Sequence, residues 1–310
     1  MAEKEHQYYE GQERCMGTVF RLHAFYPAGR REWMHGLADR LFDELLEDDR
    51  AFSIYRPESE VNRINRAAGG EPVAVEADVF ELLEFCRRWW QATGGLFDIT
   101  VGAAMRAYGF HVEAAWPADS SLEGLRNDRR ALSGLTGCDK LELDERNKTA
   151  RLARPGMLLD LGGIAKGWAV RKRAGLLVEA GLEHFALSAG TSTVLARGAP
   201  EGSHGWPMEL EAPPGADSET TEMVLTDCAV SVSGNYRNTL QGNGGATLRH
   251  IIDPLTLEPV AEIRQVVAVG QDAAECEVLS TAYLIQGGLT GRFALENRPD
   301  ISVEFYLLKQ

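Results

Sequence analysis

Leu159-Asp160-Leu161-Gly162-Gly163-Ile164-Ala165-Lys166-Gly167-Trp168 carries a short apolar run into an aspartate, a glycine pair and a lysine, just where helical periodicity begins. The spacing predicts a strand-to-helix junction. Glycines, lacking a Cβ, let the N–H groups of a helix N-terminus approach an anion, and Lys166 adds a full positive charge one turn in. The junction therefore suggests a phosphate-bearing ligand. Taken alone, a turn with two glycines is more often simple turn chemistry.

Working outward, residues 16–26 alternate as a strand, and a helical pattern runs over 31–49. Between Phe52 and Asn65, Pro57 stops regular structure and Ser59 can cap a short helix through Asn65, giving a surface loop. Over 76–91, Val79, Leu82, Leu83, Cys86 and Trp90 follow the three-four spacing of a core-facing helix, so Trp89 and Trp90 read as packing. A short helical piece ends near Tyr108-Gly109-Phe110, and 140–154 reads as a hairpin around a polar turn. After the junction a helix covers 164–179, and strands follow at 185–188, 207–212, 221–232, 247–252 and 264–269, with a Gly/Asn-rich turn from Gly242 to Gly245. A last helix over 273–286 stops at Gly287-Gly288, and 301–308 forms a last strand. With no internal repeat and no low-complexity linker, the chain reads as one α+β domain over residues 1–310, in one lobe or two around a cleft.

Composition narrows the function classes. The 310 residues are 44% hydrophobic and 25% charged, which is ordinary globular composition. A formal net charge of -14 disfavours nucleic acid as a partner, so any anion site is local. Five cysteines, Cys15, Cys86, Cys138, Cys228 and Cys276, lack CxxC pairing, and the odd count favours reduced thiols. Met1 to Arg14 has no apolar signal region and no apolar stretch long enough for a transmembrane helix follows, so the chain reads as cytoplasmic as written. A chain from which an export signal had been trimmed would read the same.

Two further groups carry candidate chemistry. Glu277, Ser280 and Thr281 share one helix face, and their oxygens suit a hard cation such as Mg²⁺; the bland alternative is a polar face with Thr281 bonded to its own backbone. His250-Ile251-Ile252-Asp253-Pro254 sets a histidine at a strand end before a turn, where it can act as a base near neutral pH or serve structure. His6, His23, His35, His111, His184 and His204 show no HExxH or HxH spacing, which leaves a zinc hydrolase without support. GxSxG, Walker-type and kinase motifs are missing, as is GxGxxG at a strand-to-helix position.

Met16-Gly17-Thr18, Tyr55-Arg56-Pro57 with Ser59-Glu60, Gly95-Leu96-Phe97-Asp98-Ile99-Thr100-Val101-Gly102, Asp160 to Gly167, Ser233-Gly234-Asn235-Tyr236-Arg237 and His250 to Pro254 stand in the order found in the ApbE family of FAD:protein FMN transferases. The chain resembles that family from about Met16 to Gly287. The resemblance implies a T-fold-like α+β protein, with mixed or antiparallel sheets and packed helices around an FAD cleft. It implies Mg²⁺-dependent cleavage of FAD and attachment of FMN, through its phosphate, to a threonine or serine of a target flavoprotein, releasing AMP. The family's FAD contacts fall on Met16, Tyr55, Leu96, Phe97, Asp98, Asp160, Lys166 and Ile251. Its metal positions fall on Gly163, through the backbone carbonyl, and on Glu277, Ser280 and Thr281. His250 is the expected base.

The chain also departs from the pattern of the family it resembles. Members usually carry aspartate at the position of Glu277, a change of about one C–C bond in reach at an ion with strict octahedral demands. Ser280 is a weaker ligand than the aspartate some members have there, and Thr191 replaces a glycine in Ser188-Ala189-Gly190-Thr191-Ser192. FAD hydrolysis to FMN and AMP, and FAD binding without catalysis, therefore stand beside transfer as readings.

Overall fold

A computed structural model describes residues 6–115, 128–212, 220–241, 247–294, 298 and 300–307. Strands β1 (His6–Cys15) and β2 (Thr18–Pro27) form an antiparallel hairpin closed by Met16 and Gly17. Both turn residues have positive φ, 48° and 70°, the combination that matches a two-residue turn to strand twist. Glycine adopts it freely; Met16 is held there by Asp49, whose Oδ1 accepts its N–H at 2.9 Å. The strand expected from residue 16 thus begins at Thr18. Strand β1 was hidden in the polar N-terminal segment because, as a sheet edge, it buries only Cys15.

Helix α1 (Arg31–Phe52) buries Met34, Leu37, Ala38, Leu41, Leu45 and Phe52, and runs past the expected end because Phe52 continues the stripe. Helix α2 (Glu60–Arg66) is capped by Ser59, whose hydroxyl accepts the Asn62 N–H at 3.0 Å. Strand β3 (Val73–Ala74) precedes α3 (Ala77–Ala92), then α4 (Gly102–Ala107) and α5 (Arg129–Gly134). Trp89 packs against Phe85 as expected, with ring centroids 6.2 Å apart. The predicted hairpin is β4 (Leu141–Asp144) and β5 (Thr149–Leu152), which pairs with β3.

Helix α6 (Ala165–Glu179) leads to β6 (His184–Ala189) and β7 (Thr193–Arg197), then β8 (Trp206–Glu211) and β9 (Thr220–Leu225). Strand β10 (Cys228–Gly234) follows. Residues 221–232, expected as one strand, divide at Asp227, whose φ is 50°, so that β9 pairs with β8 while β10 enters the main sheet. Short strands β11 (Thr239–Gln241), β12 (Thr247–Arg249), β13 (Ile252–Asp253) and β14 (Glu258–Pro259) precede β15 (Arg264–Gly270), α7 (Ala273–Gln286) and β16 (Ser302–Leu307). The turn expected from Gly242 to Gly245 lies outside the described residues.

The main sheet has seven strands in the order β1-β2-β6-β7-β10-β15-β16, every neighbouring pair antiparallel. Alternation splits its side chains between two cores. Phe20, Leu22, Phe185, Leu187, Ala229, Val266 and Ala268 join the large core under α1, α6 and α7. Ala186, Val194, Ala196, Val230 and Val267 face the opposite way, where Trp206, Leu210 and Leu225 of the β8–β9 ribbon cover them. Burying one such large apolar side chain is worth about 1.5–3 kcal/mol. Among the described residues the cysteines are free, four of them buried, and burial pushes the Cys15 thiol up to about 12. No described helix is long and apolar enough to cross a membrane.

Candidate active site

The chain segment at 158–160 is built from both sides. Val101 bridges to Leu158 in parallel, and the Asp160 N–H donates to the Ile99 carbonyl at 2.8 Å. On the other side buried Asn65 acts as an artificial strand partner: its Oδ1 accepts the Leu159 N–H at 2.7 Å and its Nδ2 donates to the Leu159 carbonyl at 3.2 Å. Helix α2, through Asn65, therefore pins the backbone one residue before Asp160. Replacing Asn65 by alanine leaves both Leu159 groups unpaired; the expected cost is about 1–3 kcal/mol, seen as a lower urea midpoint.

A cavity of about 560 Å³ opens beside this segment, within the range of small-molecule sites. Met16, Tyr55, Leu96, Phe97, Asp98, Asp160, Lys166 and Ile251 all line it, together with His250, Gly163 and Thr281. Glu277 and Ser280 stand behind the wall, 4% and 0% exposed. Elements distant in sequence thus bring most of the candidate residues to one space.

Two carboxylates in the wall are placed differently. Asp98 is buried, which raises its pKa although Thr100 N–H and hydroxyl donate to its Oδ1 at 2.7 and 2.6 Å. Asp160 is as buried, yet the His111 ring, 3.2 Å from Oδ2, and the Gly162 N–H, 2.8 Å from Oδ1, outweigh desolvation and hold its pKa low. His111 is correspondingly raised: burial opposes its charge, and the bond to Asp160 wins. His111 carries no motif spacing, and nothing in the sequence marked it as part of this wall.

His250 sits half-buried with Nδ1 3.2 Å from the Asn238 carbonyl. A carbonyl only accepts, so Nδ1 carries the proton and Nε2 is left as the basic nitrogen. Burial, joined by the His111 and Lys166 charges, lowers its pKa against the bond to Asn238 and the Asp160 charge. The ring is therefore neutral near pH 7.

The lysine of the opening motif is already partnered. Lys166 Nζ lies 3.1 Å from Glu277 Oε1 and 3.2 Å from the Gly162 carbonyl, while Glu277 Oε2 accepts the Gly167 N–H. Glu277, reaching from α7, thus covers the positive end of α6. One turn on, the Thr281 hydroxyl is 3.2 Å from Ser233 Oγ, and a Cβ placed on Gly163 would lie 3.8 Å from Thr281 Oγ1. Ser280 turns toward the sheet, its hydroxyl 2.7 Å from Ser233 Oγ and 3.4 Å from Ser231 Oγ. Among the described residues no group of three or more His, Cys, Asp or Glu side chains converges on a metal position. The cation-friendly atoms here are instead one carboxylate, hydroxyls and backbone carbonyls.

Helices α6 and α7 touch through Gly167, where a Cβ would meet the Ala273 carbonyl at 2.7 Å and Glu277 Oε2 at 2.5 Å. Alanine gains about 0.5–1 kcal/mol of helix propensity over glycine, but forcing the helices apart costs about 1–3 kcal/mol. Gly167→Ala is thus expected to unfold at lower denaturant than wild type, with Lys166 and Glu277 pulled out of register.

The sequence matches the ApbE family over residues 16–305. It is 29% identical over 289 residues to an FAD:protein FMN transferase of Vibrio cholerae serotype O1, covering 91% of this chain and 82% of that protein. A protein of the same name from Treponema pallidum is 28% identical, covering 90% and 79%. The fold is similar to the crystal structure of the ApbE protein of Thermotoga maritima, with TM-score 0.76 and 25% identity over 91% of this chain and 88% of that one. The apo flavinyl transferase ApbE of Pseudomonas stutzeri shares the fold at TM-score 0.80 and 24% identity, covering 100% and 94%. On these matches, and with its motif residues gathered at one cavity, the chain belongs to the ApbE family.

Proposed function

We propose that the chain is an FAD:protein FMN transferase, working as one catalytic unit that moves FMN from FAD to a threonine or serine of an acceptor flavoprotein and releases AMP. The observation that carries this reading is that His250 and all eight expected FAD-contact residues line a single cavity. In the reaction the acceptor oxygen bonds to the FMN-side phosphorus, the bond to the AMP phosphate oxygen breaks, and the hydroxyl proton passes to His250 Nε2. Charge builds on the phosphate oxygens, where a nearby cation stabilises it.

The residues fit a hard cation as helper. A lysine ammonium already rests between a carboxylate oxygen and a backbone carbonyl, standing in for one. Glu277, Thr281 and the Gly163 carbonyl would hold Mg²⁺, with Ser280 supporting them by orienting Ser233 against Thr281. Mg²⁺ bound there would neutralise phosphate charge. Glu277 would have to release Lys166, freeing that ammonium for the dinucleotide.

Incubating the protein with FAD, Mg²⁺ and a peptide that carries a flavinylation-site threonine is expected to add the mass of FMN to the peptide. Free FMN with AMP would mark a hydrolase, and unchanged FAD a binding protein.

A further inference from the structure

The residues from Tyr108 to Ala115 form a turn that the family motifs do not include, and it brings His111 to the cavity wall. The His111 backbone is left-handed, φ 54°, a conformation that costs a non-glycine residue and persists where surroundings impose it. In this conformation the His111 ring forms a bridge. On one side the ring nitrogen Nε2 lies 3.2 Å from Asp160 Oδ2; on the other, Nδ1 lies 2.7 Å from the Tyr55 hydroxyl. The Tyr55 and His111 rings meet edge to face, 5.9 Å apart at 78°. The two segments also run together in the backbone, the Ala115 N–H donating to the Ile54 carbonyl at 2.8 Å.

Tyr55 needs such a holder. It is 51% exposed at the cavity, an unusual position for a large aromatic ring. Its backbone is fixed from below, since Asn62 Nδ2 donates to the carbonyls of Ile54 and Arg56 at 2.7 and 2.9 Å. Its hydroxyl is tied to His111 Nδ1, a bond that restricts rotation of the half-exposed side chain about χ1. An aromatic ring set in one orientation at the cavity offers a face to a planar ligand ring without the entropy loss of ordering it on binding.

We infer that His111 is a positioning residue for dinucleotide recognition, bridging Asp160 to Tyr55 so that the Tyr55 ring stands as a fixed wall for one planar ring of FAD. This rests on the cavity being the FAD site proposed above. The bridge works in either protonation state of His111, because Nδ1 accepts from the Tyr55 hydroxyl when neutral and donates to it when charged.

The test is FAD affinity by fluorescence titration, beside KM and kcat for transfer, in His111→Ala, His111→Gln, Tyr55→Phe and the His111→Ala/Tyr55→Phe double variant, each checked for an unchanged thermal midpoint. His111→Ala is expected to weaken FAD binding and raise KM about tenfold with kcat nearly kept. Glutamine, which can donate to Asp160 and accept from Tyr55, should restore most of the loss, and the double variant should be no worse than His111→Ala. Titrations with FMN and with ADP then tell which ring meets the wall, by which of the two shares the loss. Unchanged affinity in His111→Ala, or additive losses in the double variant, would overturn the inference. A wild type that binds FAD through His111 yet transfers no FMN would overturn the transferase reading and leave this one standing.

Discussion

Replacing His250 by alanine is expected to lower FMN transfer by about two to four orders of magnitude, the range that a positioned general base supplies. The Asn238 carbonyl fixes the tautomer, so the basic Nε2 is available whenever the ring is neutral. Burial, first among the causes, brings the pKa below its ordinary value of about 6.5. The sign then follows: the active form is the deprotonated one, so activity falls as pH drops through that lowered pKa and is flat above it. In a pH profile of kcat/KM for transfer to the peptide, the wild type should show an acid limb with its midpoint below about 6.5. His250→Ala should lose that limb along with the rate. A variant that keeps both the rate and the limb would remove His250 from the chemistry.

Most of the helices were legible because apolar spacing marks the residues they bury, α5 with Leu132 alone buried being an exception, and most main-sheet strands were legible as short apolar runs because their two faces join different cores. Helix α7 has the bounds that the sequence predicts: Asp272 caps its start, Gly287 ends it in a left-handed conformation, and most of the residues between are buried. Strand β1 was not legible, because an edge strand that buries one side chain in ten residues has no alternation to read. The break at Asp227 was missed for a different reason: apolar residues continue across it, and only the left-handed backbone shows that the chain changes sheets. At the site, motif order placed the cavity-lining residues, but motifs do not say which partner a side chain chooses. Lys166 and Glu277 were assigned to separate ligands, whereas folding pairs them across α6 and α7. His111 was invisible, because its role comes from a turn that only the folded chain lays beside Tyr55.

Lys166→Met is expected to hurt both stability and transfer, and the two losses can be separated. Removing the ammonium strands Glu277 Oε1 in a site where that side chain is 6% exposed, while the lysine side chain is 23% exposed. Losing one partner of a buried pair costs about 3–5 kcal/mol, and the partial exposure of Lys166 argues for less than that, because water screens its half. Transfer should fall by about two to three orders of magnitude if the ammonium is needed against developing phosphate charge. Adding Glu277→Gln removes the stranded charge, while the glutamine amide oxygen can still accept the Gly167 N–H. The double variant should therefore regain most of the urea stability lost by Lys166→Met. Its transfer rate should stay low, because the ammonium that Glu277 would release to the phosphates is still missing and the carboxylate proposed to hold Mg²⁺ has become a neutral amide. If the double variant recovered the rate together with the stability, Lys166 would serve only to neutralise Glu277, and the positive charge at the cavity would have to come from elsewhere.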